Sequence, residues 1–66
     1  MDQLEQVAGF LVIFEREENG GLHALCPELK GCHSYGKTRA EARRNIAEAI
    51  ALWLESAQEL GIKVGA

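Results

Sequence analysis

Residues 31–38 read Gly31-Cys32-His33-Ser34-Tyr35-Gly36-Lys37-Thr38, which satisfies G-x-x-x-x-G-K-[ST] position for position where a helical pattern begins. In a nucleotide-binding protein that pattern is a nest of backbone N–H groups around a phosphate, with the lysine on the β/γ-phosphates and the hydroxyl on magnesium. The residues inside the pattern point elsewhere. Cys-His-Ser-Tyr alternates as a short strand does, with His33 and Tyr35 on one face and Cys32 and Ser34 on the other. No apolar strand ending in Asp follows to complete a magnesium site. A chain of 66 residues also holds little more than one βαβ unit of ~30 residues or more. The stretch therefore predicts a strand from Cys32 to Gly36, a turn permitted by Gly36, a solvated Lys37, and a helix capped by Thr38. Glu41, three residues beyond Thr38, completes a capping box.

Working outward toward the C-terminus, Ala42, Ile46, Ala49, Ile50, Trp53, Ala57 and Leu60 recur at spacings of three and four, which predicts an amphipathic helix from Arg39 to Leu60. Arg43, Arg44, Glu48, Glu55 and Glu59 fall mainly on its solvated side. Trp53 lies on the apolar stripe, where its indole N–H needs a polar partner. Asn45 has poor helix propensity, and its amide is placed to bond backbone near Gly31 or Gly36. Gly61 sits at the position of a left-handed C-terminal cap, and Ile62 to Val64 is a candidate brief strand.

Toward the N-terminus, Val7 to Glu15 reads as one central strand, with Phe10, Val12 and Phe14 on one face and Leu11 and Ile13 on the other. Glu17, Glu18, Asn19, Gly20 and Gly21 supply hairpin-turn chemistry, and Leu22 to Cys26 returns as the second strand. Pro27 ends it, and Pro-Glu-Leu-Lys-Gly connects to the third. The expected architecture is α+β, a three-stranded antiparallel sheet with one long helix packed on one face, in the order β-β-β-α-(β), forming a single domain over residues 1–66. The first strand is apolar on both faces and one helix covers only one of them. Together with the small size of the core, this predicts a homodimer or higher oligomer.

The formal net charge is −3, with Glu15, Glu17 and Glu18 close together, so there is no general basic field to draw the chain to nucleic acid. No apolar run approaches the ~20 residues of a membrane span, and Met1 to Gln6 has no signal-peptide character. The expected compartment is the cytoplasm, with Cys26 and Cys32 reduced. His23, Cys26, Cys32 and His33 form a loose four-ligand set, but the spacing matches no usual zinc knuckle, and Cys32 and His33 point to opposite faces of a strand. No metal and no cofactor are expected. Neither histidine has a nucleophile at a recognisable spacing, so no catalytic residue is expected either.

The stretch Cys26 to Glu55 resembles the HicB antitoxin family, through Pro27, Glu28, Leu29, Gly31, Cys32, Gly36, Thr38, Glu41, Ala42, Asn45, Glu48 and Ala49. The resemblance, which takes in nearly the whole chain including the Asn-Gly-Gly turn, implies a partial ribonuclease-H-like fold without catalysis. It also implies a partner, a small basic HicA-like toxin that cleaves RNA through a histidine. Many relatives continue into a helix-turn-helix or ribbon-helix-helix domain that binds operator DNA. The sequence to Ala66 has no counterpart, so binding of nucleic acid by this chain alone is not expected. Against a basic toxin the acidic residues Glu15, Glu17 and Glu28, with Glu18, are the expected contacts. His33 and Tyr35 either join them or flank the helix. The rival reading is a small oligomeric nucleic-acid-binding module that uses a sheet face with Phe10, Phe14, Tyr35 and Arg16. An ATP-hydrolysing or nucleolytic enzyme has only the phosphate-loop match and two histidines in its favour.

Overall fold

The run from Val7 to Glu15 is two strands rather than one. The computed structural model describes residues 3–61, and in it β1 spans Leu4–Val7 and β2 spans Phe10–Arg16, joined at Ala8 and Gly9. Both joining residues have positive φ, 51° at Ala8 and 86° at Gly9, the pattern of a type I′ turn whose twist suits an antiparallel pair. Alanine in this region costs about 1 kcal/mol, so the turn is carried by Gly9 and by the pairing on either side of it. After β2 the chain turns at residues 17–21, where the Gly20 N–H donates to the Glu17 carbonyl at 2.9 Å and the Glu17 N–H to the Gly21 carbonyl at 2.8 Å. β3 (Leu22–Leu25), β4 (His33–Gly36) and α1 (Arg39–Leu60) complete the order β-β-β-β-α. The expected α+β class and helix are present, and the sheet has four strands, not three. The candidate strand at Ile62 to Val64 lies outside the described residues.

The sheet is an antiparallel meander in the order β1-β2-β3-β4. Its register places Glu5 opposite Val12, Phe14 opposite Ala24, and Leu22 opposite Gly36 on the face beneath the helix. That face is the core, where Val12, Phe14, Ala24, Leu29, Ala42, Ile46 and Ile50 are at most 1% exposed. Complete burial of each large side chain among these contributes about 1.5–3 kcal/mol.

α1 begins where the capping box predicts. The Thr38 hydroxyl accepts from the Glu41 N–H at 3.1 Å, while the Glu41 carboxylate accepts from the N–H of Lys37 at 2.6 Å, one residue before the cap. The helix ends at Gly61, with φ 73° and its N–H shared between the Ala57 and Gln58 carbonyls. Gly36 has another role than the expected turn. Its φ is not positive, but a Cβ there would stand 2.2 Å from the Ala42 backbone nitrogen. Glycine is required so that β4 and α1 can approach backbone to backbone.

Two helix side chains fasten α1 to the β4 side of the sheet. Asn45 Nδ2 donates to the Tyr35 carbonyl at 2.7 Å, and Trp53 Nε1 donates to the Lys30 carbonyl at 2.8 Å, meeting the needs expected of both residues. Trp53 already reaches the loop beyond the described strands, and Leu60, more than one helical turn past it, is 74% exposed instead of joining the core. The loop itself is closed by the Cys26 N–H on the Cys32 carbonyl at 3.0 Å. Leu29 at its centre is fully buried.

Candidate functional site

Strand alternation leaves the second face of the sheet uncovered by any described residue. One row across it runs Leu4, Ile13, Leu25 and His33, and another runs Glu15, His23 and Tyr35, with Leu11 beside Gln6. Leu4, Leu11 and Tyr35 are 45%, 38% and 39% exposed. The face therefore has an apolar centre on β1 to β3 and a polar, aromatic margin on β3 and β4. Of the residues expected to contact a partner, Glu15, His33 and Tyr35 stand together on this face. Glu17 lies in the β2–β3 turn and Glu28 in the loop after β3, both exposed and at opposite ends of the strands. Leu4 and Leu25 complete the apolar row and were missed in the sequence. The signal for Leu4 was Gly9, which marks the end of a preceding strand.

The margin is ordered by side-chain contacts. Tyr35 lies over Gly21, where a Cβ would stand 2.0 Å from the phenolic oxygen. Its hydroxyl donates to Asn19 Oδ1 at 3.3 Å, and the same oxygen accepts from the Gly21 N–H at 2.9 Å. His23 and His33, on neighbouring strands, meet edge to face with ring centroids 5.1 Å apart and a 3.2 Å contact between His23 Nε2 and His33 Nδ1.

The four-residue zinc set is divided by the same alternation. Both histidines are on the open face, whereas Cys26 and Cys32 are buried free thiols. Burial pushes both thiols above their ordinary pKa, against weaker lowering hydrogen bonds at Cys26. Among the described residues no group of three or more His, Cys, Asp or Glu is placed to hold a metal ion.

The phosphate-loop pattern is occupied by other interactions. Residues 33–36 are paired to β3 as strand, the Lys37 N–H is bonded to Glu41, and that carboxylate stands where a phosphate would have to approach. The nucleic-acid platform is also dispersed. Phe14 is 1% exposed beneath the Arg39 guanidinium, which lies 4.4 Å from the ring centroid. Phe10 packs against the core, and of the proposed aromatic residues Tyr35 alone is on the open face.

On the covered side, Glu5 joins β1 to the helix through Arg39 at 3.1 Å and through two contacts with Arg43. The hydrogen bond from Arg43, and after it that from Arg39, holds the Glu5 carboxyl below its usual value against partial desolvation. These charges are mutually satisfied; among the described residues, apolar surface is left for contact on the open face and on the helix at Leu52 and Leu60, which are 59% and 74% exposed. No helix among the described residues is long and apolar enough to cross a membrane.

Residues 10–66 match the family model described as the HicB-like antitoxin of bacterial toxin–antitoxin systems. A UPF0150 protein of Synechocystis is 54% identical over 52 residues, covering 79% of this chain and 66% of its own length. One from Helicobacter pylori is 55% identical over 42 residues, covering 64% of this chain and 57% of its own length. One from Thermoplasma acidophilum is 38% identical over 55 residues, covering 83% and 80%. The match thus spans less than two thirds of the first two relatives.

Proposed function

The chain belongs to the HicB-like antitoxin family of bacterial toxin–antitoxin systems, and on that premise we propose that it acts without catalysis, by binding and neutralising a HicA-type RNA-cleaving toxin. The observation that carries this reading is the open sheet face. Its apolar centre of Leu4, Leu11, Ile13 and Leu25 is the kind of surface that a protein partner covers. Its border holds Glu15, Glu17, Glu28, His33 and Tyr35. With a net charge of −3, an acidic rim speeds encounter with a basic toxin, and the apolar centre supplies the affinity. The complex forms in the cytoplasm, where the toxin's RNA substrates are. In the absence of toxin a second copy of the chain covers the same face, which makes the free protein a homodimer.

Co-expression with the HicA-like product of the neighbouring reading frame tests this. Growth is restored and a stable complex is recovered with the native chain. Ile13→Asp, at the centre of the face, abolishes both, and Glu15→Lys weakens binding and reduces its sensitivity to salt. Failure of the native chain to bind or rescue removes the antitoxin reading.

A further inference from the structure

The histidine pair on the open face has the spacing of half a metal site. In tetrahedral zinc with Zn–N distances of about 2.0–2.1 Å, neighbouring ligand nitrogens stand about 3.3–3.4 Å apart. His23 Nε2 and His33 Nδ1 are 3.2 Å apart, on adjacent antiparallel strands whose pairing fixes the two backbones. As it stands the contact is a hydrogen bond in which one nitrogen donates and the other accepts. Moving that proton to the far nitrogen of its ring, with a rotation of the two rings, frees both lone pairs for one ion. Neutral imidazole is a good ligand for zinc and for neighbouring divalent transition metals.

Two ligands leave a tetrahedral ion half satisfied, and the described residues of one chain place no third His, Cys, Asp or Glu for it. A second copy related by a two-fold axis offers the same pair, and a self-complementary interface on that axis makes four imidazoles. The row Leu4, Ile13 and Leu25 leads directly to His33 on the same face, so a two-fold axis that runs along this row brings the two apolar centres together with the histidine pairs. We propose that His23 and His33 bind zinc or a similar divalent transition metal jointly with the same pair of a second copy, closing a metal-bridged homodimer over the open sheet face. Because His33 and Tyr35 belong to the surface assigned above to the toxin, the metal-bridged dimer and the toxin complex exclude one another. That consequence rests on the antitoxin reading, whereas the metal site does not.

The test uses the full chain without an affinity tag, zinc sulfate for sedimentation equilibrium and calorimetry, and cobalt as a spectroscopic substitute. The expected result is one zinc per two chains and a dimer dissociation constant lowered at least about tenfold, reversed by a chelator and lost in both His23→Gln and His33→Gln. Cobalt gives the visible bands of a tetrahedral nitrogen site with no thiolate charge-transfer band. Both variants keep the native melting profile without metal, since both rings lie on the open face. Binding of one zinc per chain without dimerisation, undiminished binding in either variant, a thiolate band, or no binding at micromolar zinc would each overturn the proposal. None of these readouts involves the toxin, so failure here is separable from failure of the antitoxin reading.

Discussion

The two faces of the sheet are built from alternate residues of the same four strands, and they end in opposite states. Both are apolar along β2, where Val12 and Phe14 face one way and Leu11 and Ile13 the other, so β2 does not choose which side becomes core. The choice lies in β3 and β4. On one side they present Ala24, Ser34 and Gly36, with Leu22 as the one large residue, and on the other His23, Leu25, His33 and Tyr35. A helix packs closely over small residues, and Gly36 allows its backbone to approach to a distance that any Cβ would prevent. The bulky side is left uncovered by any described residue. Small residues here determine where the chain's own helix lies, and large ones where it stops being self-sufficient.

The two glycines that face opposite sides give the largest test of that contrast. Gly36→Ala drives a methyl into the Ala42 backbone and is expected to cost about 3 kcal/mol. Gly21→Ala meets only side-chain atoms of Tyr35, and displacing that ring from its Asn19 contact is expected to cost about 1 kcal/mol. Chemical denaturation measures both, and combining each with Tyr35→Ala sharpens the result: the Gly21 penalty is relieved and the Gly36 penalty is not. Equal penalties for the two would break the comparison.

Adjacent residues on β2 supply the next test. Val12 is fully buried and Leu11 is 38% exposed, so Val12→Ala is expected to lower stability by about 2 kcal/mol and Leu11→Ala by less than about 0.5 kcal/mol, at protein concentrations where the chain is monomeric. Smaller than the Val12 loss is that of Asn45→Ala, which leaves the Tyr35 carbonyl without its helix partner. We expect about 1 kcal/mol, read as a melting temperature lower by about 4–8 °C in a domain of this size.

The smallest effect concerns Glu5. Its folded pKa is depressed below the reference value of 4.5, so its stabilisation is fully present above that pH and is lost as pH falls through the folded value. Glu5→Gln therefore lowers the melting temperature by about 2 °C near neutrality. The difference disappears once acidification has passed through the folded value. A gap that persisted in acid would assign the effect to packing instead of charge.

Much of this was legible in the sequence because it depends on local rules. The helix from Arg39 to Leu60 follows from periodicity, its start from Thr38 and Glu41, its end from Gly61, and the division of β2 between faces from alternation. The first hairpin was missed because alanine at Ala8 carries no turn signal, and Gly9, the one signal present, reads as an interior position of a single strand from Val7 to Glu15. Leu29 was missed because a residue between Pro27 and Gly31 looks like loop, and only the closure between Cys26 and Cys32 turns it inward. For the open face, Glu15, His33 and Tyr35 were identified by chemistry. Their gathering on one surface, and the meeting of His23 with His33, depends on strand register, which the two intervening loops fix and composition does not.

The strand order has a kinetic consequence. Each strand pairs with its immediate successor, so the whole sheet assembles from hairpins without a long loop having to close first. Chains with such local topology fold on the order of milliseconds or faster. The ion pair of Glu5 with Arg43 joins residues 38 positions apart, and it can form only after both the first hairpin and the helix are in place. It is expected to be absent from the transition state, so that removing it speeds unfolding and leaves the folding rate unchanged. The contact that ties the first strand to the helix thus governs how long the folded chain lasts and has little part in how quickly it arises.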